Sequence, residues 1–330
     1  MKVILGFSGG VDSTVTALLL RRLGHEVLGL YMDNAGETPR REAIEGARAL
    51  ELPLTVVDVR DALEEAVCTP FCAAYLRGET PNPCVLCNPA VKFRLLLEAA
   101  ERCGAEAIAT GHYARAEGGK LFKGRPENDQ SYMLSRLRRE QLDKLMLPLG
   151  AYSKAEVRAM AEDFGLAAAH KPDSMEICFI PDKDYVGWIS RRETLPGPGP
   201  FLFHGQVIGE HAGICRYTVG QRRPGLWEGR KLYVSRIDAE SNSVELALWE
   251  ELFKTELRVR DFRWLIDPPE GEVRGSVRVR HTKWENPPCT AWMEDGVLRI
   301  RCDEPVRAPA PGQTAALYRG DQVLGGGFIL

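Results

Sequence analysis

Hydrophobic and polar positions follow a repeating pattern in the first half of the chain. Apolar runs of strand length, VILGF, EVLGLYM and LTVVDV, alternate with the amphipathic stretches TVTALLLRRLG and PRREAIEGARALEL. This strand–helix–strand rhythm is typical of a parallel sheet with helical crossovers. The stretches VKFRLLLEAAERCG and EAIATGHYA predict one further helix and one further buried strand. The pattern therefore predicts an α/β fold built on a parallel sheet.

The segment SKAEVRAMAEDFGL predicts a helix whose ends are marked by particular residues. Ser153 stands at the N-cap position, Glu156 follows three residues later in capping-box spacing, and Gly165 lies near the end. Beyond it, LPGPGP (Leu195 to Pro200) cannot continue a helix and predicts a linker or domain boundary.

The second part of the chain has a different pattern. Short β-type runs recur between turn residues, as in all-β barrels or sandwiches. These runs are KLYVSRI, SVELAL, LRVRDFRWL, SVRVRHTK, TAWME, VLRIRC and TAALYR. The sequence thus predicts a β-rich second half.

Composition limits the class of protein. With 330 residues, the chain is expected to form two or three domains, and 44% apolar residues allow a real core. No apolar run approaches the roughly 20 residues that span a bilayer, and the first residues lack a signal-peptide layout, so we expect a cytoplasmic protein with no membrane partner. A net charge of -3 gives no global nucleic-acid signature, so any RNA site must be a local patch.

The strongest local signal is the segment Ser8-Gly9-Gly10-Val11-Asp12-Ser13-Thr14, between a predicted strand and a predicted helix. Two glycines permit a tight turn with exposed N–H groups, and the helix N-terminus adds partial positive charge, which together suit a phosphate. Asp12 would repel a phosphate, so we expect it to cap the helix or to hold a divalent cation. The alternative to a phosphate site is that Gly9 and Gly10 form only a sharp turn from strand to helix. Neither a Walker loop nor a dinucleotide fingerprint is present.

This S-G-G-x-D-S segment resembles the PP-loop of enzymes that split ATP into AMP and pyrophosphate. The resemblance implies that ATP adenylates a substrate oxygen. It also leaves open a rival function, an AMP-forming synthetase or amidotransferase acting on a small molecule, which would not need cysteines.

Three of the nine cysteines stand out. Cys84 and Cys87 form a C-x-x-C between prolines, and Cys178 lies far downstream. Three thiolates suit a [4Fe–4S] cluster with one open iron, or a zinc with a bound water. A metal-free scheme is also open, in which Cys178 carries a persulfide and Cys87 closes a disulfide to release the product.

The other cysteines carry less information. Free cysteine is among the most buried residue types, so packing is the favoured interpretation for them. This applies to Cys68, Cys72, Cys103, Cys215, Cys289 and Cys302. Cys68 and Cys72 are spaced i,i+4 and lie close to the C-x-x-C in sequence. The alternative to packing for these two cysteines is a role as auxiliary metal ligands.

Taken together, several motifs resemble the tRNA-specific 2-thiouridylases, the MnmA family. The matching segments occur in the family's order over nearly the whole chain. They are GFSGGVDST, GETPNPCVLCNPAVKF, ATGHYAR, NDQSYMLSRL, KPDSMEICFIPDKDYVGWI, HAGICRYTVGQRRPGL and APGQTAALYRGDQVLGGGFI. Many family members have Asp where this chain has Cys84, and the extra soft ligand favours the cluster over the persulfide scheme.

The resemblance implies a three-part architecture and a reaction. The parts are an adenine nucleotide α-hydrolase-like PP-loop catalytic domain (1–193), a central β-rich domain that contacts tRNA (194–253) and a C-terminal β-barrel (254–330). In the reaction, ATP with Mg²⁺ adenylates the 2-oxo group of the wobble uridine, and sulfur then displaces AMP. The sulfur would come from a cysteine desulfurase, a sulfur-relay protein or free sulfide. A non-catalytic RNA-binding iron–sulfur protein is a further alternative.

The same carry-over gives the candidate site residues. The catalytic residues are Cys87, Cys178 and Asp12. The nucleotide would contact Gly6, Phe7, Ser8, Gly9, Gly10, Asp12, Ser13, Thr14, Met32 and Gly111. The tRNA would contact His112, Asp129, Gln130, Ser131, Arg216, Gln221, Arg222 and Arg223. The candidate metal ligands are Cys84, Cys87 and Cys178.

A basic stripe in the barrel is a second candidate RNA surface. Arg278 and Arg280 alternate onto one face of a predicted strand and are followed by His281 and Lys283. A solvated β-face is the equally simple interpretation.

Overall fold

The structure is a computed structural model that describes residues 1–34, 36–170, 177–223, 231–280 and 286–330. The helices are α1 (Val11–Arg22), α2 (Glu37–Ala49), α3 (Arg60–Leu63), α4 (Thr69–Leu76), α5 (Pro83–Cys87), α6 (Phe93–Cys103), α7 (Arg139–Asp143), α8 (Lys154–Asp163) and α9 (Tyr185–Ser190). Two π-helical turns, Glu64–Cys68 and Asn88–Lys92, interrupt the helical segments.

The strands of the first half are β1 (Lys2–Gly6), β2 (Glu26–Asp33), β3 (Leu54–Asp58), β4 (Ala107–Ala109), β5 (Ala114–Glu117), β6 (Lys120–Lys123) and β7 (Leu145–Met146). Those of the second half are β8 (Gly199–Phe203), β9 (Gln206–His211), β10 (Arg222–Arg223), β11 (Leu232–Asp238), β12 (Ser243–Ala247), β13 (Phe253–Trp264), β14 (Val273–Arg278), β15 (Pro288–Glu294), β16 (Val297–Arg307), β17 (Thr314–Arg319) and β18 (Gln322–Ile329).

The chain divides into two compact units. The first comprises Met1–Val67, Cys84–Pro181 and Asp321–Leu324, and the second comprises Cys68–Pro83, Asp182–Gly320 and Gly325–Leu330. Among the residues that the structure describes, no helix is long and apolar enough to cross a membrane.

The first unit is built on a parallel sheet, as the sequence predicts. Its strand order in the described residues is β3-β2-β1-β4-β7, and each neighbouring pair runs parallel. Apolar runs of strand length form its centre because both faces are covered by helices, which leaves no polar alternation. The β5–β6 hairpin was not predicted, since its four-residue strands are too short to show a period.

Helix α1 is fixed on two sides. Ala17 and Leu20 pack with sheet residues such as Leu5, whereas Val15 packs with Val157 of α8. The start of α1 and the start of α8 are therefore held close together, which brings the loop before α1 to the first turn of α8.

The second unit is β-rich, also as predicted. Its first sheet has the order β10-β11-β12-β8-β9. Strands β13-β16-β15-β14-β17-β18 follow in a second sheet, and pairing of β13 with β18 closes this sheet into a barrel. Closure removes exposed strand edges, which are sites of unwanted pairing.

The predicted linker Leu195 to Pro200 was partly wrong, because β8 already begins at Gly199. A proline normally weakens a central strand because it has no N–H to donate. Here the parallel pairing with β12 begins only at Phe201, opposite Val244, so Pro200 leaves no gap in that ladder.

The capping box predicted at α8 is confirmed. The Ser153 hydroxyl accepts a hydrogen bond from the Glu156 N–H at 3.2 Å, and the Glu156 carboxylate accepts one from the Ser153 N–H at 2.7 Å. Gly165, just beyond the helix, adopts a left-handed φ of 66° that other residues disfavour.

We predict that Ser153→Ala destabilises the first unit by about 1 kcal/mol, because one N-terminal N–H of α8 loses its acceptor. A lower urea midpoint would show this. Glu162→Gln, in the exposed last turn of the same helix, is the control and should change stability by less than about 0.5 kcal/mol. An unchanged midpoint for Ser153→Ala would contradict the capping role.

Candidate nucleotide and thiol site

The predicted phosphate loop lies between β1 and α1, as the sequence indicates. Gly6 ends β1, Phe7 continues the pairing by donating to the Leu30 carbonyl at 2.9 Å, and Gly10 precedes α1. Gly9 has a φ of 74°, and a Cβ placed on it would lie 2.8 Å from the Ala43 Cα. Only glycine fits there without moving backbone.

Hydroxyl groups hold the shape of this loop. Thr14 donates to the Gly10 carbonyl at 2.8 Å, and Ser13 donates to the same carbonyl at 3.1 Å. The Ser13 hydroxyl also accepts the Ser8 N–H at 3.2 Å. Ser13 and Thr14 are buried, whereas Ser8 is exposed, so the first two shape the loop and Ser8 faces solvent. The loop and the N-terminus of α1 thus have the geometry expected of an anion site, and phosphate binding there stays a prediction.

Asp12 has two partners that the sequence analysis missed. The Lys154 ammonium donates to both Asp12 carboxylate oxygens, at 2.7 and 2.8 Å, and the Tyr113 hydroxyl donates to one of them at 2.6 Å. Asp12 therefore does not cap its own helix. Instead it holds a cation at the mouth of the phosphate loop, in a partly buried ion pair.

Of three further predicted residues, Gly111 lies beside this pair, and Met32 and His112 have other surroundings. Gly111 lies so close that a Cβ on it would be 3.0 Å from the Asp12 Cβ. Met32 is half-buried near the end of β2. His112 lies over the Phe93 ring and bonds the Thr110 hydroxyl through Nδ1 at 2.7 Å. Burial, and then the nearby Lys92 charge, lower the pKa of His112 well below its usual value, so the imidazole is neutral.

The predicted substrate residues 129–131 have structural roles. The Asp129 carboxylate accepts from the Gly124 N–H at 2.9 Å and from the Ser131 hydroxyl at 3.0 Å. Gln130 donates its N–H to the Tyr113 carbonyl at 2.8 Å and accepts the Tyr113 N–H at 3.0 Å. Ser131 is fully buried. These residues fix the position of Tyr113, and thereby the partner of Asp12.

The C-x-x-C thiols lie on a helix of unusual shape. Cys84 and Cys87 occupy α5, and their i,i+3 spacing places them on one helical face. Because Pro89 has no N–H to donate to the carbonyl four residues earlier, the helix widens into the π-helical turn Asn88–Lys92.

The environment of Cys87 is set by neighbours from two segments. Burial raises the pKa of the Cys87 thiol to about 11; the Lys92 ammonium lowers it, and the charges of Cys178 and Cys84 raise it further. Such effects require short separations. The sequence analysis missed Lys92. Cys178 is exposed, and its Sγ accepts a hydrogen bond from the Asn34 side chain at 3.3 Å.

The three candidate metal ligands are neighbours, but no metal site is shown among the residues that the structure describes. Across the described ranges, no group of three or more His, Cys, Asp or Glu side chains is placed to hold a metal ion. Cys84, Cys87 and Cys178 lie close enough for their charges to act on one another, and their soft donor atoms suit an iron–sulfur cluster. The cluster therefore stays a prediction.

The remaining cysteines are interpreted as packing residues. Cys68, Cys72, Cys215, Cys289 and Cys302 are buried, which agrees with the prediction. Cys103 is half-buried and donates to the Ala99 carbonyl at 2.9 Å.

In the second unit, the predicted tRNA residues lie around β10. Arg216, Gln221 and Arg222 are exposed. Arg223 stacks over the Tyr217 ring at 4.5 Å, which makes it part of the aromatic packing as well. An exposed basic loop of this kind suits phosphate contacts.

The predicted barrel stripe was wrong for Arg280. Its guanidinium donates to the Ala308 carbonyl at 2.7 Å and to the Val219 carbonyl, so it joins two loops of its own unit. Arg280 does not share a strand face with Arg278 because β14 ends at Arg278, which donates to the Asn286 side chain at 3.1 Å. His281 and Lys283, also predicted for the stripe, lie outside the described residues.

Three family models match consecutive segments of the chain. A family model described as the tRNA methyl transferase HUP domain matches residues 1–182. Models described as the tRNA methyl transferase PRC-barrel domain and the aminomethyltransferase beta-barrel domain match residues 194–247 and 254–329.

Curated relatives match over the whole length. The chain is 42% identical to the tRNA-specific 2-thiouridylase MnmA of Syntrophotalea carbinolica, covering 99% of the chain and 98% of the relative. It is also 42% identical to the protein of that name from Syntrophomonas wolfei, covering 100% of both. The chain therefore belongs to the tRNA-specific 2-thiouridylase family.

Proposed function

We propose that this chain uses ATP to adenylate the 2-oxo group of the wobble uridine in tRNA and replaces that oxygen by sulfur, which gives 2-thiouridine. Family membership supports ATP-dependent tRNA thiolation, a sulfur-group transfer. The observation that carries the residue assignment is the position of the Cys178 sulfur beside Asn34, at the end of the strand next to the phosphate-loop strand. A small-molecule synthetase would have no use for thiols at that edge.

Adenylation is needed because the 2-oxo group of uridine is a poor electrophile with a poor leaving group. Transfer of AMP to the oxygen releases pyrophosphate and the N3 proton, and AMP then serves as the leaving group. The uridine must leave the anticodon stack to reach the site, as the bases of other base-modifying enzymes do.

In the nucleotide site, the loop Ser8–Thr14 would bind phosphate through its N–H groups, and Asp12 would hold Mg²⁺. The metal neutralises phosphate charge when it is bound. Because Mg²⁺ and Lys154 use the same carboxylate, arrival of the metal nucleotide would release Lys154 toward the phosphates. The Asp12–Lys154 pair thus keeps a phosphate-binding cation in place before the nucleotide binds.

Sulfur transfer then uses two thiols. Cys178 attacks the persulfide of a donor such as a cysteine desulfurase or relay protein and takes its outer sulfur, which leaves the donor thiol. The Cys178 persulfide attacks C2, forming a C–S bond as AMP leaves. Cys87 attacks the Cys178 sulfur, breaks the S–S bond to the base, and gives a Cys87–Cys178 disulfide; its proton ends on N3 of 2-thiouridine. A dithiol reductant restores both thiols.

The [4Fe–4S] cluster predicted from the sequence uses the same three thiols. The cluster stays a prediction, and no step is assigned to it because no group in the described residues is arranged to hold a metal ion. Two further expectations stay predictions: the domain boundaries at 193 and 253, and a cytoplasmic location. The contacts of Arg216, Gln221 and Arg222 with tRNA belong to the proposal.

We predict that Lys154→Met weakens MgATP binding about 10- to 100-fold, because a phosphate loses a charge-assisted hydrogen bond worth roughly 1.5–3 kcal/mol. Equilibrium binding of a fluorescent ATP analogue measures this directly. Lys120→Met removes the same charge from an exposed site on β6 and should bind normally. Equal affinity for both variants would exclude Lys154 from the nucleotide site.

Cys178→Ser and Cys87→Ser should each abolish thiolation and leave tRNA affinity within about twofold, because each side chain performs chemistry and contributes little contact area. Thiouridine can be quantified by mass spectrometry and binding by filter retention. Cys103→Ser is the matched control, since serine can still donate to the Ala99 carbonyl. Loss of tRNA binding in the first two variants would contradict their chemical roles.

Anaerobic purification with iron and sulfide analysis tests the choice between persulfide and cluster. We expect iron-free wild type that thiolates tRNA with a persulfide donor, and Cys84→Ala that keeps this activity. Bound iron and sulfide in the wild type, with activity lost on Cys84→Ala, would replace the persulfide route by the cluster.

A further inference from the structure

Asn34 makes a contact that neither the sequence motifs nor the nucleotide chemistry explains. Its side-chain Nδ2 donates to the Sγ of Cys178 at 3.3 Å, across 144 positions of sequence. Both groups lie at a solvent-accessible edge of the first unit, where a long-range contact with a thiol has little value for burial alone.

The position of Asn34 follows from the sheet. β2 pairs with β1 in parallel, with Gly6 opposite Leu30, so both strands end at the same edge. The phosphate loop continues β1 at that edge, and Asn34 is the first residue after β2. In open parallel sheets, ligands bind outside the carboxyl ends of the strands. A side chain at this point can therefore hold a reacting sulfur beside bound substrate.

The chemistry of the donor matters as much as its place. A cation next to Cys178 would stabilise its thiolate, but it would also weaken the sulfur as a nucleophile, since nucleophilicity falls with thiol pKa. An amide donates a hydrogen bond without a net charge. Asp33, the residue before Asn34, is paired with Arg40 at 3.7 Å. Asn34 can thus orient the Cys178 sulfur with little loss of its nucleophilicity.

We propose that Asn34 is a positioning residue for sulfur transfer, which orients Cys178 so that its loaded sulfur is aimed at the adenylated base. This inference rests on the proposed function. It assigns Asn34 to the step in which the Cys178 persulfide forms the C–S bond and AMP leaves. Adenylation, which depends on the loop and on Asp12, does not require it.

The test separates these two steps in single turnovers with full-length enzyme, unmodified tRNA and ATP. The first measurement is pyrophosphate release without a sulfur donor. The second is 2-thiouridine formation by enzyme already carrying a persulfide on Cys178, with loading confirmed by mass spectrometry. The variants are Asn34→Asp, which keeps the shape, removes the donor and adds a negative charge, and Asn34→Gln, which keeps the donor on a longer, uncharged chain.

We expect pyrophosphate release within twofold of wild type for both variants. Thiouridine formation should fall at least 10-fold for Asn34→Asp and recover in part for Asn34→Gln. Normal thiolation by Asn34→Asp, or an equal fall in both measurements, would overturn the positioning role. Wild-type enzyme that releases pyrophosphate but never thiolates would instead refute the proposed function, which keeps the two failures distinct.

Discussion

The arrangement of the catalytic unit depends on the parallel pairing of β1 with β2. Because the strands run in register, the segments that follow them emerge at one edge of the sheet. One segment is the phosphate loop, and the other places Asn34 against Cys178. The backbone hydrogen bonds of the sheet thus bring together the two segments to which we assign nucleotide binding and sulfur transfer.

Much of the fold could be predicted because its signals are long or have a defined mechanism. The strand–helix rhythm of the first half and the turn-separated runs of the second gave the correct classes, and Ser153 with Glu156 marked a helix start by direct chemistry. Short elements such as the β5–β6 hairpin escaped, since four residues show no period. The prolines before Phe201 led to the prediction of a linker. A strand can include Pro200 here because pairing with β12 begins only at Phe201, and the sequence does not show where that pairing begins.

The candidate site was predictable only where residues form motifs. The glycine loop and the cysteines can be recognised from their spacing in sequence. Lys154, Lys92 and Asn34 belong to no motif, and their roles follow only from the residues they contact in the structure. A lone lysine in a helix start is usually a solvated side chain. The same limit explains Arg280, whose role depends on carbonyls of distant loops rather than on strand alternation.

The two halves of the site use charge differently. At the loop, Lys154 is held by a carboxylate, and a full cation suits the polyphosphate that we propose binds there. Around the thiols, Lys92 supplies one positive charge near Cys84 and Cys87. The other groups are neutral: His112 is uncharged, Asn34 is an amide, and burial keeps Cys87 protonated. Polyphosphate needs a compensating charge, while a soft sulfur loses nucleophilicity beside one. This difference explains why a neutral amide, rather than a second lysine, contacts Cys178.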